Sequence, residues 1–545
     1  MRRILATCCV AILAALHVRS LKSEVRPSQH IPDFGSHEAE VGWGGRTSDF
    51  RLQTYAGAKP RLVVLIVIDQ MRADYFQRYA DRFTDGFKRV WDSGAVFTQA
   101  RYPYASNKTA QAHALMVSGA SPATSGIVGD RWLERSAGAM VAAGASPTAK
   151  LVGSSAAGGS PEQLKVTTVG DALKAAHPQS MVLAASWKRY TAILNGGLHP
   201  DAAYWLDEAS GRFVTSDYYA RAYPAWTAPF TQTDLAAPLF GTTWHGHHLG
   251  VGVQPDEPFR YRVRYTPHGN SILLAFAKAI VERSGVGADA DPDFVAISFS
   301  SLDFVGHEYG PESPEFDETI VKLDRDVGDL LRALDAKVGA ANYAVAFTSD
   351  HGAALAPEKQ KARGIDAGAL STIGFRAAID AAVTAKLGIR GPITTGAEPP
   401  EFYLNYAGAQ AQNVSRQALD RAVVEAMQAQ PGVARAFTVD DIAGAASSGD
   451  PILQAVAEGF YAGRSGDIHV LVKPNYIFWS GGGTTHGSPY DYDAHVPLIF
   501  MGAGVKPGRY DQRIRVNELA PTLGHLLGVP FKGDAKGRVL LEALQ

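Results

Sequence analysis

The sequence predicts an α/β fold in which a mostly parallel central sheet lies sandwiched between helices, an α/β/α arrangement, and three observations carry that prediction. Four short runs rich in β-branched and aromatic residues are apolar almost throughout, two longer segments repeat apolar residues every three or four positions, and three of the four runs lead into an aspartate. A strand that is apolar on both sides must be covered on both faces, the usual situation of parallel strands between helices.

The first run, Arg61 to Ile68, is followed by Asp69, and the second, Asp293 to Phe299, leads to Asp303. Tyr343 to Thr348 runs into Asp350-His351, and Val496 to Met501 forms the fourth. Ligands of open α/β sheets bind beyond the carboxyl ends of the strands, so these aspartates stand where chemistry is expected. Phe316, Ile320, Leu323, Val327, Leu330, Leu331 and Leu334 recur at helical spacing, as do Ile272, Leu273, Phe276 and Ile280; both sets read as packing stripes. Two stretches interrupt the rhythm, 131–265, rich in Tyr, Trp, Pro and Gly, and 354–480, which carries a strand at Phe402 to Asn405, a helix at Ser415 to Gln430 and a strand at Val433 to Thr438. Both are expected to be insertions that cap the carboxyl edge of the sheet within one catalytic domain spanning 59–545.

A chain of 545 residues with 46% hydrophobic and 19% charged residues buries a sizeable core. The formal charge is −2 and no block of Lys or Arg occurs, which leaves no electrostatic footprint for nucleic acid. Met1-Arg2-Arg3 precedes an apolar run from Ile4 to Leu16 that is short for a bilayer span. This reads as a signal peptide over 1–20, followed by a linker over 21–58 and a periplasmic or secreted mature protein. Cys8 and Cys9 are the only cysteines, so the mature chain would hold neither a disulfide nor a thiol nucleophile. No second apolar run approaches membrane length, so no membrane span is expected after signal removal.

Among the polar residues, Asp303-x-x-x-His307 and Asp350-His351 combine oxygen and nitrogen donors that suit zinc. Tyr104 to His113 reads as a turn entering a small-residue helix that runs to Gly119, with Thr109 at its N-terminus. Free amides and the positive dipole end favour phosphate there, although a plain N-cap threonine has the same placement. Trp244-His245-Gly246-His247-His248 has no carboxylate beside it and reads as a surface loop, His113 reads as a packed histidine, and Asp493 and His495 as residues shaping the loop around His486.

The order Asp69, Thr109, Asp303-x-x-x-His307, Asp350-His351-Gly352, Thr485-His486-Gly487 resembles the alkaline phosphatase superfamily. It resembles in particular the bacterial phosphate-irrepressible alkaline phosphatases, whose nucleophile is threonine and whose relatives are the nucleotide pyrophosphatase/phosphodiesterases. Gly126-Ile127-Val128-Gly129, Ala203-Tyr204-Trp205, Arg464 to Ile468, His486 to Tyr490 and Glu518 to Leu523 extend the likeness over about residues 60–540. The resemblance implies an alkaline phosphatase-like fold and two zinc ions, one on Asp303, His307 and His486, the other on Asp69, Asp350 and His351 with Thr109 beside it. It also implies a small-molecule phosphate ester as substrate and a phosphothreonine intermediate.

Two positions depart from the monoesterase branch. Where that branch has an asparagine, this chain has Asp130, and its Lys-x-Arg pair becomes Lys188 and Tyr190. A carboxylate facing a substrate phosphate adds repulsion of about 4 kcal/mol at 4 Å and an effective dielectric of 20, and tyrosine cannot replace arginine as a bidentate donor. Lys188 neutralising Asp130, or Arg189 turning into the pocket, would compensate. The expected activity is phosphomonoester hydrolysis with Lys188 as a catalytic residue and Asp130, Lys188 and Tyr190 at the substrate. Phosphodiester hydrolysis and a non-catalytic periplasmic metal- or phosphate-binding role are the alternatives. A sulfatase is excluded, because Thr109 is followed by Ala-Gln-Ala and not by a Cys/Ser-x-Pro-x-Arg context.

Overall fold

The structure, a computed structural model, describes residues 59–531 and 536–545; the expected signal peptide (1–20) and linker (21–58) lie outside the described residues. A nine-stranded sheet forms the centre. Its strands in chain order are β1 (Leu62–Ile68), β2 (Ala95–Phe97), β3 (Val182–Ser186), β4 (Ala202–Asp207), β5 (Arg212–Val214), β6 (Asp293–Phe299), β7 (Tyr343–Thr348), β8 (Leu498–Gly502) and β9 (Gly508–Tyr510). In space the order is β5-β4-β3-β6-β1-β7-β8-β2-β9. The five strands from β4 to β7 in that order are mutually parallel. Antiparallel β5 and β8 flank them.

Alternation along β1 explains why its sequence is apolar throughout. Leu62, Val64, Ile66 and Ile68 enter one core with α3 (Pro267–Arg283) and α5 (Pro314–Lys337), while Val63, Leu65 and Val67 enter the opposite core with α1 (Thr109–Ser118) and α6 (Leu519–Leu526). Between them in the chain lie α2 (Arg189–Gly196) and α4 (Ser301–Tyr309). The two predicted stripes are the buried faces of α3 and α5. Burying five large apolar side chains on α3 and seven on α5, at roughly 1.5–3 kcal/mol apiece, outweighs any preference of the isolated helices.

Two expectations need correction. The run from Val496 to Met501 is β8, and it runs antiparallel to β7, with Phe347 opposite Ile499. A strand covered on both faces is apolar whichever way it points, so composition carries no information on direction. The stretch 131–265 is not one insertion, because β3, β4 and β5 belong to the central sheet. Their Ala-rich sequences, Val-Leu-Ala-Ala-Ser and Ala-Ala-Tyr-Trp-Leu-Asp, lack the β-branched runs that mark the other strands. Around them, Arg131–Glu134 pairs with Ala139–Ala142, and Thr243–Trp244 with His247–His248, in small hairpins. In the stretch 354–480, strands Thr394–Glu398, Glu401–Leu404, Ile468–Val472 and Val433–Thr438 form a separate antiparallel sheet in that order. Helices Thr372–Leu387 and Arg416–Gln428 pack on it. No described helix is long and apolar enough to cross a membrane.

Candidate active site

The site follows from strand register. Ile68 lies opposite Phe299, and Val67 opposite Thr348, so β6, β1 and β7 end level with one another. Asp69, Asp303 and Asp350 are thereby delivered to one place. β3 pairs Ser186 with Ser298 of β6, which brings Lys188, two residues on, to the same edge. Asp303 and His307 share a face of α4 one turn apart, with His307 Nε2 3.1 Å from Asp303 Oδ1.

Thr109 is the first residue of α1, a helix buried over its whole length. The residue at the N-cap is Lys108, in extended conformation, so Thr109 is not the cap. Its Oγ1 lies 3.2 Å from His351 Nε2 and 3.3 Å from Lys188 Nζ. Asn107 ties this turn to the His486 loop, donating from Nδ2 to the Ser488 carbonyl and accepting at its own carbonyl from His486 Nδ1.

All three histidines are held in the same way. Nδ1 of His307 donates to the Thr484 carbonyl, that of His351 to Gly352 and that of His486 to Asn107. A carbonyl only accepts, so each proton sits on Nδ1 and each Nε2 lone pair points inward, as metal coordination requires. The His351 and His486 rings stack at 3.4 Å, and burial pushes both imidazoles well below their ordinary range, keeping them neutral. Asp69 Oδ1 and Asp350 Oδ2 accept no hydrogen bond although both carboxylates are fully buried.

Burial, reinforced by the charges of Asp303 and Asp350, drives the Asp69 carboxyl well above its ordinary range. Asp350 is pushed up to about 7, chiefly by burial. At Asp303 burial acts upward too, but the neighbouring His307 and Lys188 outweigh it and hold the group well below its ordinary value. Three buried carboxylates around one ammonium are under-compensated, and orphaned oxygens facing inward lone pairs of nitrogen are what a divalent cation satisfies.

Two donor groups emerge, Asp303 with His307 and His486, and Asp69 with Asp303 and His351. The first is the set the resemblance implies. The second contains Asp303 where Asp350 was expected; Asp350 stands beside it, its Oδ2 3.3 Å from His351 Nε2. Lys188 accounts for the difference, since Nζ lies 2.6 Å from Asp69 Oδ2 and 2.8 Å from Asp303 Oδ2 and so draws those two carboxylates together.

Asp130 meets the helix rather than a cation, with Oδ1 accepting from the Ala110 amide at 2.8 Å. Neither compensation expected for it occurs. Lys188 is spent on Asp69 and Asp303, and Arg189 points to the Gly158 carbonyl, away from the pocket. Tyr190 packs beside α1, and burial followed by the Asp130 charge raises its hydroxyl well above the ordinary range.

Three minor expectations are settled by contacts. Asp493 does shape the His486 loop, Oδ2 accepting from the Gly487 and Ser488 amides, whereas His495 is directed to the Thr98 carbonyl. His113 is a packed histidine on Asn195, neutral because burial lowers it to about 3. The His245 cluster does have carboxylates: His245 pairs with Glu318 and His247 with Glu315, both from α5 and some seventy residues away in sequence.

Sequence reasoning missed Gln70. Its Nε2 donates to Asp303 Oδ1 at 2.7 Å and its amide to Asp350 Oδ1 at 3.2 Å, from a backbone at φ 65°. Gly306 makes room for it, since a Cβ there would fall on Gln70 Oε1. Adjacency to Asp69 at a strand end was the only available signal.

Known proteins align with this arrangement. The sequence model of the type I phosphodiesterase / nucleotide pyrophosphatase family matches residues 63–495. Alkaline phosphatase PafA of Elizabethkingia meningoseptica is 31% identical over 526 residues, 90% of this chain and 96% of that protein. Alkaline phosphatase PhoV of Synechococcus elongatus is 31% identical over 519 residues, 90% and 94% of the two chains. The crystal structure of wild-type PafA superposes with a TM-score of 0.82 over 90% of this chain and all of that one, at 31% identity.

Proposed function

Because the chain belongs to the type I phosphodiesterase/nucleotide pyrophosphatase family and is a phosphoric ester hydrolase of the alkaline phosphatase kind, we propose that it is an exported two-zinc phosphomonoesterase acting through a phosphothreonine on Thr109. The observation that carries this reading is the position of the Thr109 hydroxyl, within 3.3 Å of both His351 and Lys188 and at the start of α1. Asp303, His307 and His486 would hold one zinc; Asp69, Asp350 and His351 would hold the other. Zinc bound there supplies the charge that lowers the pKa of the hydroxyl and of water and offsets the charge of the phosphoryl group.

The chain's own groups do the rest. The Lys188 ammonium, 3.3 Å away, fixes the orientation of the Thr109 oxygen and stabilises it as the alkoxide. The hydroxyl proton passes to solvent, the oxygen attacks phosphorus, the ester oxygen leaves and takes a proton from water, and the phosphoryl group stays on Thr109 until water displaces it as inorganic phosphate and returns the proton to Thr109. The buried helix α1 resists movement of the nucleophile between the two half-reactions, which is how positioning contributes to rate. The N-terminal sequence supports export, and the names of the PafA and PhoV relatives support the reaction class.

Phosphodiester hydrolysis is the second reading, and Asp130 favours it, since a diester brings one negative charge and a monoester nearly two. Turnover of an aryl phosphate monoester and the corresponding diester by the zinc-loaded protein separates them: a faster monoester is expected, a faster diester moves the protein to the other branch, and turnover of neither makes it a binder. Asp130→Asn retains an acceptor for the Ala110 amide while removing a charge. It is expected to tighten inhibition by inorganic phosphate about tenfold or more, and an unchanged inhibition constant would place Asp130 outside the substrate's field.

A further inference from the structure

Lys108 precedes the nucleophile, and its stem crosses Gly487, the neighbour of His486. A Cβ on Gly487 would lie 3.0 Å from Lys108 Cε and 3.3 Å from Nζ, and its φ of 118° is one that other residues rarely adopt. Glycine at 487 therefore gives the lysine its path. No carboxylate lies within 4.0 Å of its ammonium, and it donates no hydrogen bond among the described residues.

Neighbouring cations are differently placed. Lys188 is spent on Asp69 and Asp303, Arg72 on Asp74 and Arg264 on Glu208. Two carboxyl groups meanwhile share the electrostatic surroundings of Lys108. Glu398 is raised by burial, with Lys108 and the exposed Arg131 opposing and Asp130 adding to the rise, and Asp130 itself sits on the Ala110 amide. A phosphate dianion arriving at Thr109 meets the Asp130 charge held one residue further along α1, and Lys108, one residue before it and partly buried without a counter-ion among the described residues, is the cation placed to offset that charge.

We propose that Lys108 is a substrate-binding residue that pairs with the phosphoryl oxygens of a phosphate monoester, supplying the charge recognition that Tyr190 cannot. This rests on the hydrolase reading above and deepens it, because it assigns the preference for a dianion to a named side chain.

Calorimetric titration of the zinc-loaded full chain with inorganic phosphate tests it, comparing wild type with Lys108→Met and Lys108→Arg. Lys108→Met is expected to weaken phosphate binding about tenfold or more and to raise KM for an aryl monoester by a similar factor, with kcat and the diester KM changed less than about threefold. Lys108→Arg is expected to restore most of the affinity. Unchanged phosphate affinity in Lys108→Met, or equal shifts in KM for both esters, overturns the proposal.

A second measurement needs no variant. Inorganic phosphate is expected to protect Lys108 of the wild-type protein from an amine-acylating reagent, read by peptide mass spectrometry, and equal modification with and without phosphate also overturns it. Failure of the hydrolase reading is recognised separately, by the absence of turnover of either ester by wild type, while titration and protection still decide the role of Lys108.

Discussion

Thr109→Ala is expected to lower kcat/KM for an aryl phosphate by on the order of 10³-fold or more while leaving zinc content and melting temperature near those of wild type. In the proposed mechanism the hydroxyl takes the phosphoryl group, and its removal leaves only direct attack by water. The fold should tolerate the change. Thr109 is the first residue of α1, where alanine is a good helix former, and its side-chain oxygen caps nothing, since the cap position belongs to Lys108. Thr109→Ser keeps the oxygen but loses the methyl that restricts χ1, so a smaller loss of about tenfold is expected. Steady-state kinetics on the three proteins checks both statements. Wild-type turnover in Thr109→Ala would remove the threonine from the mechanism, whatever the metal content.

Exhaustive chelation is expected to abolish turnover and to destabilise the folded protein at the same time. Asp69, Asp303 and Asp350 are fully or almost fully buried around a single ammonium. Without bound cations their mutual repulsion and lost hydration count against the folded state. A ligand present at a thousandfold excess over its Kd stabilises by about 4 kcal/mol per site, so withdrawal of two should lower Tm by several degrees. Readdition of zinc should restore both activity and Tm more fully than magnesium, because three inward imidazole nitrogens suit zinc and an oxygen-seeking ion gains little from them. Differential scanning calorimetry with parallel assays measures this, and an apo protein with unchanged Tm would contradict the reading of the two donor groups as metal sites.

The site was legible where a residue's role depends on its immediate neighbours. An aspartate just past a buried strand, a histidine four positions after another aspartate and a threonine at a helix entrance are each weak signals alone and gained meaning from their joint order, and the sheet's register brings the strand-end aspartates together. Roles that depend on distant partners were not legible. The destination of Lys188 was decided by Asp69 and Asp303, the partner of Asp130 proved to be a backbone amide, and His245 and His247 found carboxylates on α5. Gln70 and Lys108 carry no pattern at all, since their significance lies in the space left by Gly306 and Gly487.

By itself the sequence determined the α/β class and the buried strands that lead into carboxylates, because both are written in local alternation and helical spacing; the proposed donors and nucleophile came from the family resemblance that its motifs carry. Only the tertiary structure decided the direction of β8, the membership of β3 to β5 in the central sheet and the partners of each charge around Thr109. Those outcomes are settled by contacts between segments hundreds of residues apart, where burial and electrostatics act through space and leave no trace in the order of the residues.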